Sequence, residues 1–326
     1  MNLRKGSRNG NITGIKQGDD MDLSIILVNY NTRGLLRDCL KSVYDNKPGL
    51  EYEVFVVDNG SVDGSLKMLA KEYPQVRVIA NGDNLGFAGA NNKAIKQCLG
   101  QYILLLNSDT LIIDRDSFDN MVNYIATRPD IGILGCMLLN KDYSLQLSYG
   151  KFPTLGTEFS QKFINFMFSR GGGPYYAKIA AEYREEHPVD WVTGACLLVR
   201  LEAVQQAGLL DERFFMYFED VDWCRRINNC GWRIVYFPGA RVIHLLGGSA
   251  PKQSNISVIY KESQLRYYHK HRNKVEVNLL RAIQVVKHLA LLVKLKFYGL
   301  ITCKDVSDES KKLIGVIRIF WSKSMP

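Results

Sequence analysis

Apolar runs and helical patterns alternate along the first hundred residues. Residues 23–29 (LSIILVN) form a continuous apolar run, and 53–57 (EVFVV) and 102–106 (YILLL) repeat it. Runs of this length bounded by polar residues read as strands buried on both faces. Residues 76–80 read as one more strand. Between the strands, Leu35, Leu36, Cys39, Leu40 and Val43 share one helical face, and 64–73 and 87–98 read as further helices. This spacing predicts an α/β fold, a doubly wound, mostly parallel sheet with right-handed crossovers. Ligands of such sheets sit beyond the carboxyl ends of the strands.

Polar groups fall at those ends. The first strand finishes in Asn29, Tyr30 and Asn31, the second runs into Asp58, Asn59, Gly60 and Ser61, and the fourth runs into Asn107, Ser108 and Asp109. Three strands thus aim amides and carboxylates at one rim, the pattern of a nucleotide-type site. Asp58 and Asp63 also suit helix caps. The stretch NxGxxxGxNN at Asn84, Gly86, Gly89, Asn91 and Asn92 matches neither GxGxxG nor GxxxxGK[ST], which argues against an ordinary dinucleotide site or P-loop. Its glycines serve either close approach of a ligand to backbone N–H groups or a turn and helix packing.

Residues 150–189 are less regular, with Gly171 to Gly173, Pro174, Tyr175 and Tyr176, and read as a lid or substrate-facing loop. A second ordered block runs from Asp190 to His244. Its apolar stretch 195–199 reads as a strand. Glu219, Asp220 and Asp222 precede a helical pattern ending near Cys230 and Gly231. Two short β-like runs follow, separated by Pro238 and Gly239.

Composition narrows the class. With 46% hydrophobic and 23% charged residues among 326, the chain is globular, neither disordered, collagen-like nor multi-span. Seven scattered cysteines with no CxxC pair suggest neither a disulfide framework nor a zinc site, which fits a reducing cytosol. Residues 1–20 are polar, lack an apolar h-region and read as a flexible tail. Of the net charge of +9, eight arise from Lys270 onward, where twelve Lys and Arg meet four acids. The basic charge therefore reads as an attachment, apart from the active site.

The ordered stretches VNYN (28–31), VVDNGSVDGS (56–65), NLGFAGANN (84–92), LLNSDT (105–110), GACLLVR (194–200), FFMYFEDVDWCRR (214–226) and VIH (242–244) resemble the family 2 inverting glycosyltransferases of GT-A fold. Within them the chain is similar to bacterial rhamnosyltransferase-type members. The resemblance spans roughly 21–250, which is expected to be the catalytic domain, with 251–326 a helical, basic extension. It implies transfer of rhamnose from dTDP-rhamnose, or of a hexose from a UDP-sugar, to a saccharide or lipid-linked saccharide in cell-surface polysaccharide synthesis such as lipopolysaccharide. It also implies a divalent metal ion, Mn²⁺ or Mg²⁺, held by Asp109 and His244. The family's DxD motif reads Asn107, Ser108, Asp109 here, so one carboxylate remains, which implies weaker or substrate-dependent metal binding. Asp220 maps to the general base, with Glu219 orienting a sugar hydroxyl. Adjacent carboxylates raise at least one pKa, which suits a base working near neutral pH. Asn29, Asn31, Asp58, Asn84, Gly86, Asn91, Asn107 and Ser108 are implied along the nucleotide-sugar donor, with Asp58 accepting from a pyrimidine imide. Trp191 and Gly194 are implied on the acceptor side. The bland readings stand beside these: a helix N-terminus decorated with acids, and Trp191 as a core anchor.

In the extension, Val275, Leu279, Ile283, Val286, Ala290, Val293 and Phe297 share one helical face, with Arg281, Gln284, Lys287, His288 and Lys294 on the other. A second stretch, 313–321, ends in Phe320 and Trp321. Charges interrupt both before the ~20 residues a spanning helix requires. Association with the cytoplasmic face of the membrane is expected, against packing on the core or a second subunit in a homo-oligomer. Two other classes compete: a noncatalytic nucleotide-sugar-binding or scaffold protein, suggested by the incomplete DxD, and a nucleic-acid binder. Basic charge beside apolar helix faces disfavours nucleic acid as a partner.

Overall fold

The computed structural model describes residues 21–169, 173–245, 256–302 and 304–322. The flexible tail expected at 1–20 and the boundary expected at 250/251 lie outside the described residues. In the first half, strands β1 (Leu23–Asn29), β2 (Tyr52–Asp58), β3 (Arg77–Ala80), β4 (Tyr102–Asn107), β5 (Thr110–Ile112) and β6 (Ile131–Leu139) are joined by helices α1 (Arg33–Asp45), α2 (Ser65–Glu72), α3 (Gly86–Ile95) and α4 (Ser117–Ala126). The short strands β7 (Leu145–Gln146) and β8 (Tyr149–Gly150) lead into α5 (Leu155–Ser169) and α6 (Gly173–Glu182). Then come β9 (His187–Val189), β10 (Trp191–Val192), β11 (Cys196–Arg200), α7 (Leu201–Ala207), α8 (Glu219–Asn229) and β12 (Arg233–His244). The extension holds α9 (Ile256–His271), α10 (Lys274–Thr302) and α11 (Ser307–Trp321).

The main sheet runs β3-β2-β1-β4-β11-β6-β12-β5. Its first four strands are parallel, as their apolar runs foretold. β11 is antiparallel to both neighbours, while β6 and β12 are parallel. Alternation along β1 sends Ile25 and Leu27 into a core with α1, α2 and α4, and Ile26 into a second core with α3, α7 and α8. Strand order reverses between β1 and β4, so a crevice opens where Asn29 and Asn107 end those strands.

Two expectations need correction. The runs around Pro238 and Gly239 are a single strand, β12, whose pairing with β6 shifts register between Phe237 and Arg241. A bulge absorbs the residues that lack a ladder partner, so proline does not end the strand. The irregular excursion at 150–189 contains two helices, α5 and α6.

The extension is more than an attachment. Phe214, Phe218 and Val221 form a third core with Leu265, Tyr267 and Tyr268 of α9, Val277, Leu280 and Val285 of α10, and Val316 and Phe320 of α11. On α10 the apolar face marked by periodicity is the outer one. Gln284 and His288 are buried, whereas Val275, Leu279, Ile283, Val286, Val293 and Phe297 are exposed.

Candidate active site

Chain geometry past β4 brings two distant groups together. β5 pairs antiparallel with β12 so that Thr110 stands opposite His244, and Leu245 N–H donates to the Asp109 carbonyl at 2.8 Å. The consequence is a 3.4 Å approach of His244 Nε2 to Asp109 Oδ1. Asn107 Nδ2 lies 3.4 Å from the same Nε2. On the far side of the ring, His244 Nδ1 is 2.7 Å from Gln146 Oε1. Gln146 Nε2 donates to Asn140 Oδ1 at 2.9 Å and to the His244 carbonyl at 3.2 Å. The amide oxygen must therefore face the ring, and Nδ1 carries the proton. In the neutral imidazole the lone pair on Nε2 then points toward Asp109.

These groups fit a divalent cation. A carboxylate oxygen and an imidazole nitrogen suit such an ion, and one with bonds of ~2.1 Å sets neighbouring ligands ~3 Å apart, close to the spacing observed. Among the described residues no group of three or more His, Cys, Asp or Glu could hold a metal. A cation held here would take few protein ligands, with substrate phosphates and water completing its shell.

The carboxylates arrive on a strained turn. Tyr217 and Phe218 both take left-handed backbone conformations, φ 70° and 67°, immediately before α8. Each costs about 1–2 kcal/mol for a residue with a side chain. Burial of Phe218 among α9 aromatics returns a comparable ~1.5–3 kcal/mol. Ser263 Oγ of α9 holds the Met216 carbonyl at 2.8 Å, and Phe87 N–H holds the Phe215 carbonyl at 2.9 Å. Gly86 permits that second contact, because a Cβ there would stand 2.2 Å from the Phe215 oxygen and the residue has φ +72°. The glycine thus serves a close approach of backbone to backbone.

On α8, Asp220 Oδ2 accepts from Gly194 N–H at 2.9 Å and Oδ1 from Val221 N–H at 2.8 Å. Desolvation raises its pKa, outweighing those backbone bonds. Glu219 is pushed well above the ordinary carboxylate range, first by burial and then by the charge of Asp220. Its Oε2 is buried with no hydrogen-bond partner. Two neighbouring carboxyl groups therefore divide into a half-buried Asp220 and a buried Glu219 that is the later to ionise.

A cavity of about 500 Å³ joins these parts. Asn84, Gly86, Asn107, Ser108, Asp109, Trp191, Gly194, Glu219, Asp220 and His244 all line it. Residues from positions 84 to 244 that the sequence singled out thus line one cavity.

The family model for glycosyl transferase family 2 matches residues 24–184. The N-acetylglucosaminyl-diphospho-decaprenol L-rhamnosyltransferase of Mycobacterium tuberculosis is 34% identical over 216 residues, covering 59% of this chain and 66% of that protein. The chain therefore spans just under two thirds of that relative's length. Rhamnosyltransferase WbbL of Escherichia coli is 28% identical over 229 residues, covering 68% of this chain and 82% of the relative. Residues 24–184 belong to glycosyl transferase family 2. A mannosyltransferase from Pyrobaculum calidifontis, solved with GDP-Man and Mn²⁺, shares the fold at TM-score 0.55 and 16% identity, covering 95% of this chain and 90% of that one. Within the family the chain is rhamnosyltransferase-like and its mixed α/β sheet is of GT-A type.

Four residues implied for the donor are not among those lining the cavity of this family 2 protein. Asn29 and Asp58 are fully buried behind it. Asn29 Nδ2 donates to Asp58 Oδ2 at 2.7 Å and to Ser61 Oγ at 2.9 Å, while Asp58 Oδ1 accepts from Ser61 N–H at 2.8 Å. Thr32 Oγ1 links Asn29 Oδ1 (2.7 Å) to Ser108 Oγ (3.2 Å), so this network fastens three strand ends together. Asn31, at φ 54°, accepts from Val62 N–H, and Asn91 turns back onto the Phe87 carbonyl of its own helix. The strand end supplies Asn59 to the cavity instead.

Other lining residues carried no signal in the sequence. Glu158, Gln161, Lys162 and Asn165 project from α5, and Tyr260 from α9. Trp191 lines the cavity while donating Nε1–H to the Lys151 carbonyl at 2.9 Å. Asp222, read as a dipole-matching acid, is fully buried and binds Arg226 Nε at 2.8 Å, Lys270 Nζ at 2.8 Å and His271 Nε2 at 2.6 Å. Its pKa is lowered despite desolvation, because those cationic and donor groups outweigh burial. The network ties α8 to α9.

Proposed function

We propose that the protein is an inverting, divalent-cation-dependent glycosyltransferase of cell-surface polysaccharide synthesis. Its donor in this reading is a dTDP-sugar, rhamnose favoured, or a UDP-hexose, and its acceptor a hydroxyl of a saccharide or lipid-linked saccharide. Convergence of the Asp109–His244 pair and the Glu219–Asp220 pair on one cavity is the observation that carries it. Asp220 takes the proton of the acceptor hydroxyl as its oxygen attacks the anomeric carbon, while the bond from that carbon to the diphosphate oxygen breaks on the opposite face. Gly194 N–H and Val221 N–H fix the carboxylate's orientation for that task. Glu219, held protonated where Asp220 is ionised, donates to a sugar hydroxyl. A bound cation would neutralise charge on the leaving diphosphate, with Asp109 and His244 holding it. Asn84 and Asn107 would lie along the donor, and Trp191 and Gly194 on the acceptor side. The reading places the protein on the cytoplasmic side, where buried free thiols such as Cys39, Cys98 and Cys224 persist.

The test is a panel of dTDP- and UDP-sugars with Mn²⁺ and saccharide acceptors, read by release of nucleoside diphosphate. Asp220→Asn is expected to retain donor binding and lose transfer by ~10² or more. Turnover of that variant at the wild-type rate would move the base elsewhere. Donor binding with no transfer by the unaltered protein would favour the noncatalytic reading.

A further inference from the structure

An amphipathic helix in a folded protein ordinarily turns its apolar stripe inward. α10, ~43 Å long at 1.5 Å per residue, buries Val277, Leu280 and Val285 and yet carries a second apolar stripe on its outer side. Val277, Leu280, Gln284, Val285 and His288 face the protein. Val275, Leu279, Ile283, Val286, Val293 and Phe297 are between 49% and 69% exposed. At 100° per residue these six fall on one stripe opposite the buried set. Lys287 and Lys294 follow one flank of the stripe and Lys296 the other, all exposed. Between Glu276 and Asp305 the chain has no acidic residue. Trp321 of α11, which packs beside α10, is 74% exposed.

Folding of the chain alone does not account for this arrangement, because the stripe stays uncovered by the described residues. Among the described residues no helix is long and apolar enough to cross a membrane, so the stripe is not a span. Self-association through this face would bring rows of lysines together with no carboxylate between Glu276 and Asp305 to pair them. Anionic headgroups above an apolar layer match both features, the stripe by depth and the flanking lysines by charge.

We infer that the outward face of α10, with Trp321, seats on an anionic lipid bilayer, the helix lying in the headgroup plane and Lys287, Lys294 and Lys296 contacting lipid phosphates. This goes beyond the catalytic reading and does not depend on it. Lysines also stand at the cavity, where Lys151 and Lys162 line it. Lys261 of α9 is lowered to about 8, chiefly by burial, with Lys162 and Lys287 acting on it in the same direction. Lys162 lines the cavity, and its α5 neighbours Phe159 and Phe163 are exposed.

The experiment is flotation of the full chain with phosphatidylcholine vesicles, with and without phosphatidylglycerol. Wild type is expected to float with the anionic vesicles. The triple variant Ile283→Glu, Val286→Glu, Val293→Glu should lose binding at unchanged thermal unfolding, since all three side chains are exposed. Lys287→Glu, Lys294→Glu, Lys296→Glu should lower affinity for the anionic vesicles on the order of 10²-fold or more while leaving weak binding to neutral ones. Equal flotation of wild type and the apolar triple variant overturns the inference. So does a wild-type dimer in sedimentation that binds no vesicles and dissociates in that variant, which would assign the face to a second copy. Loss of sugar transfer in Asp220→Asn with flotation intact separates this inference from the catalytic one.

Discussion

Replacing Gln146 with Leu removes the group that sets which nitrogen of His244 carries its proton. In the protein, Gln146 cannot turn its amide around, because its Nε2 already donates to Asn140 Oδ1 and the His244 carbonyl. Its Oε1, 2.7 Å from Nδ1, therefore favours the tautomer that leaves Nε2 open beside Asp109. Loss of one such bond removes about 1 kcal/mol of bias between the tautomers. Loss of ring orientation adds to it, and removal of groups that support a metal-binding histidine typically weakens the metal 10- to 100-fold, or ~1.4–2.7 kcal/mol. Mn²⁺ affinity, titrated by electron paramagnetic resonance in the presence of UDP, should fall by that factor. Nitrogen-15 chemical shifts of His244 without metal should show mixed protonation at the two nitrogens. Gln146→Glu, which keeps an acceptor at the same reach, should restore both. Wild-type Mn²⁺ affinity in Gln146→Leu, with Nδ1 still protonated, would refute the reasoning, because the ring would then be held by something else.

Glu219→Gln should stabilise the protein at neutral and alkaline pH and not at acid pH. A carboxyl group whose folded pKa is raised contributes stability below its unfolded pKa and loses it as pH rises through the folded value, by about 1.4 kcal/mol per unit of separation. Thermal unfolding of both proteins from about pH 4 to about pH 9 checks this, and parallel curves would contradict it. Asp222→Asn should cost ~3–5 kcal/mol in denaturant unfolding, because Arg226 and Lys270 lose the buried charge they share. Gly86→Ala should cost ~2 kcal/mol or more and weaken nucleotide-sugar binding in calorimetry, since its Cβ meets the Phe215 carbonyl. A neutral outcome there would mean that the turn at 214–218 yields.

Strands buried on both faces announce themselves, and β1, β2 and β4 were legible because their apolar runs have no other stable use. The convergence of Asp109 with His244 and of the two carboxylates on one cavity was legible only through their motifs. Nothing at Gln146 marks it, since its role exists only once β7 lies against β6 and places it beside the end of β12. Pro238 and Gly239 read as a break because a bulge and a turn use the same residues. The apolar stripe of α10 was legible, but what covers it was not. Periodicity locates an apolar stripe and does not say whether protein or something else covers it, and here Gln284 and His288 took the inner side. Asp58 and Asn29 show the same limit at the strand ends: polarity there marks a loop junction as well as a ligand contact.

The clamp of α9 on the turn at 214–218 has a temporal consequence. A nascent chain that has emerged only as far as His244 already carries every motif of the family, yet it lacks Ser263 to hold Met216, Lys270 and His271 to meet Asp222, and the aromatics that cover Phe218. The turn presenting Asp220 would relax toward unstrained backbone until those residues leave the ribosome. Competence for chemistry would thus arrive late in translation, after the sheet itself has formed.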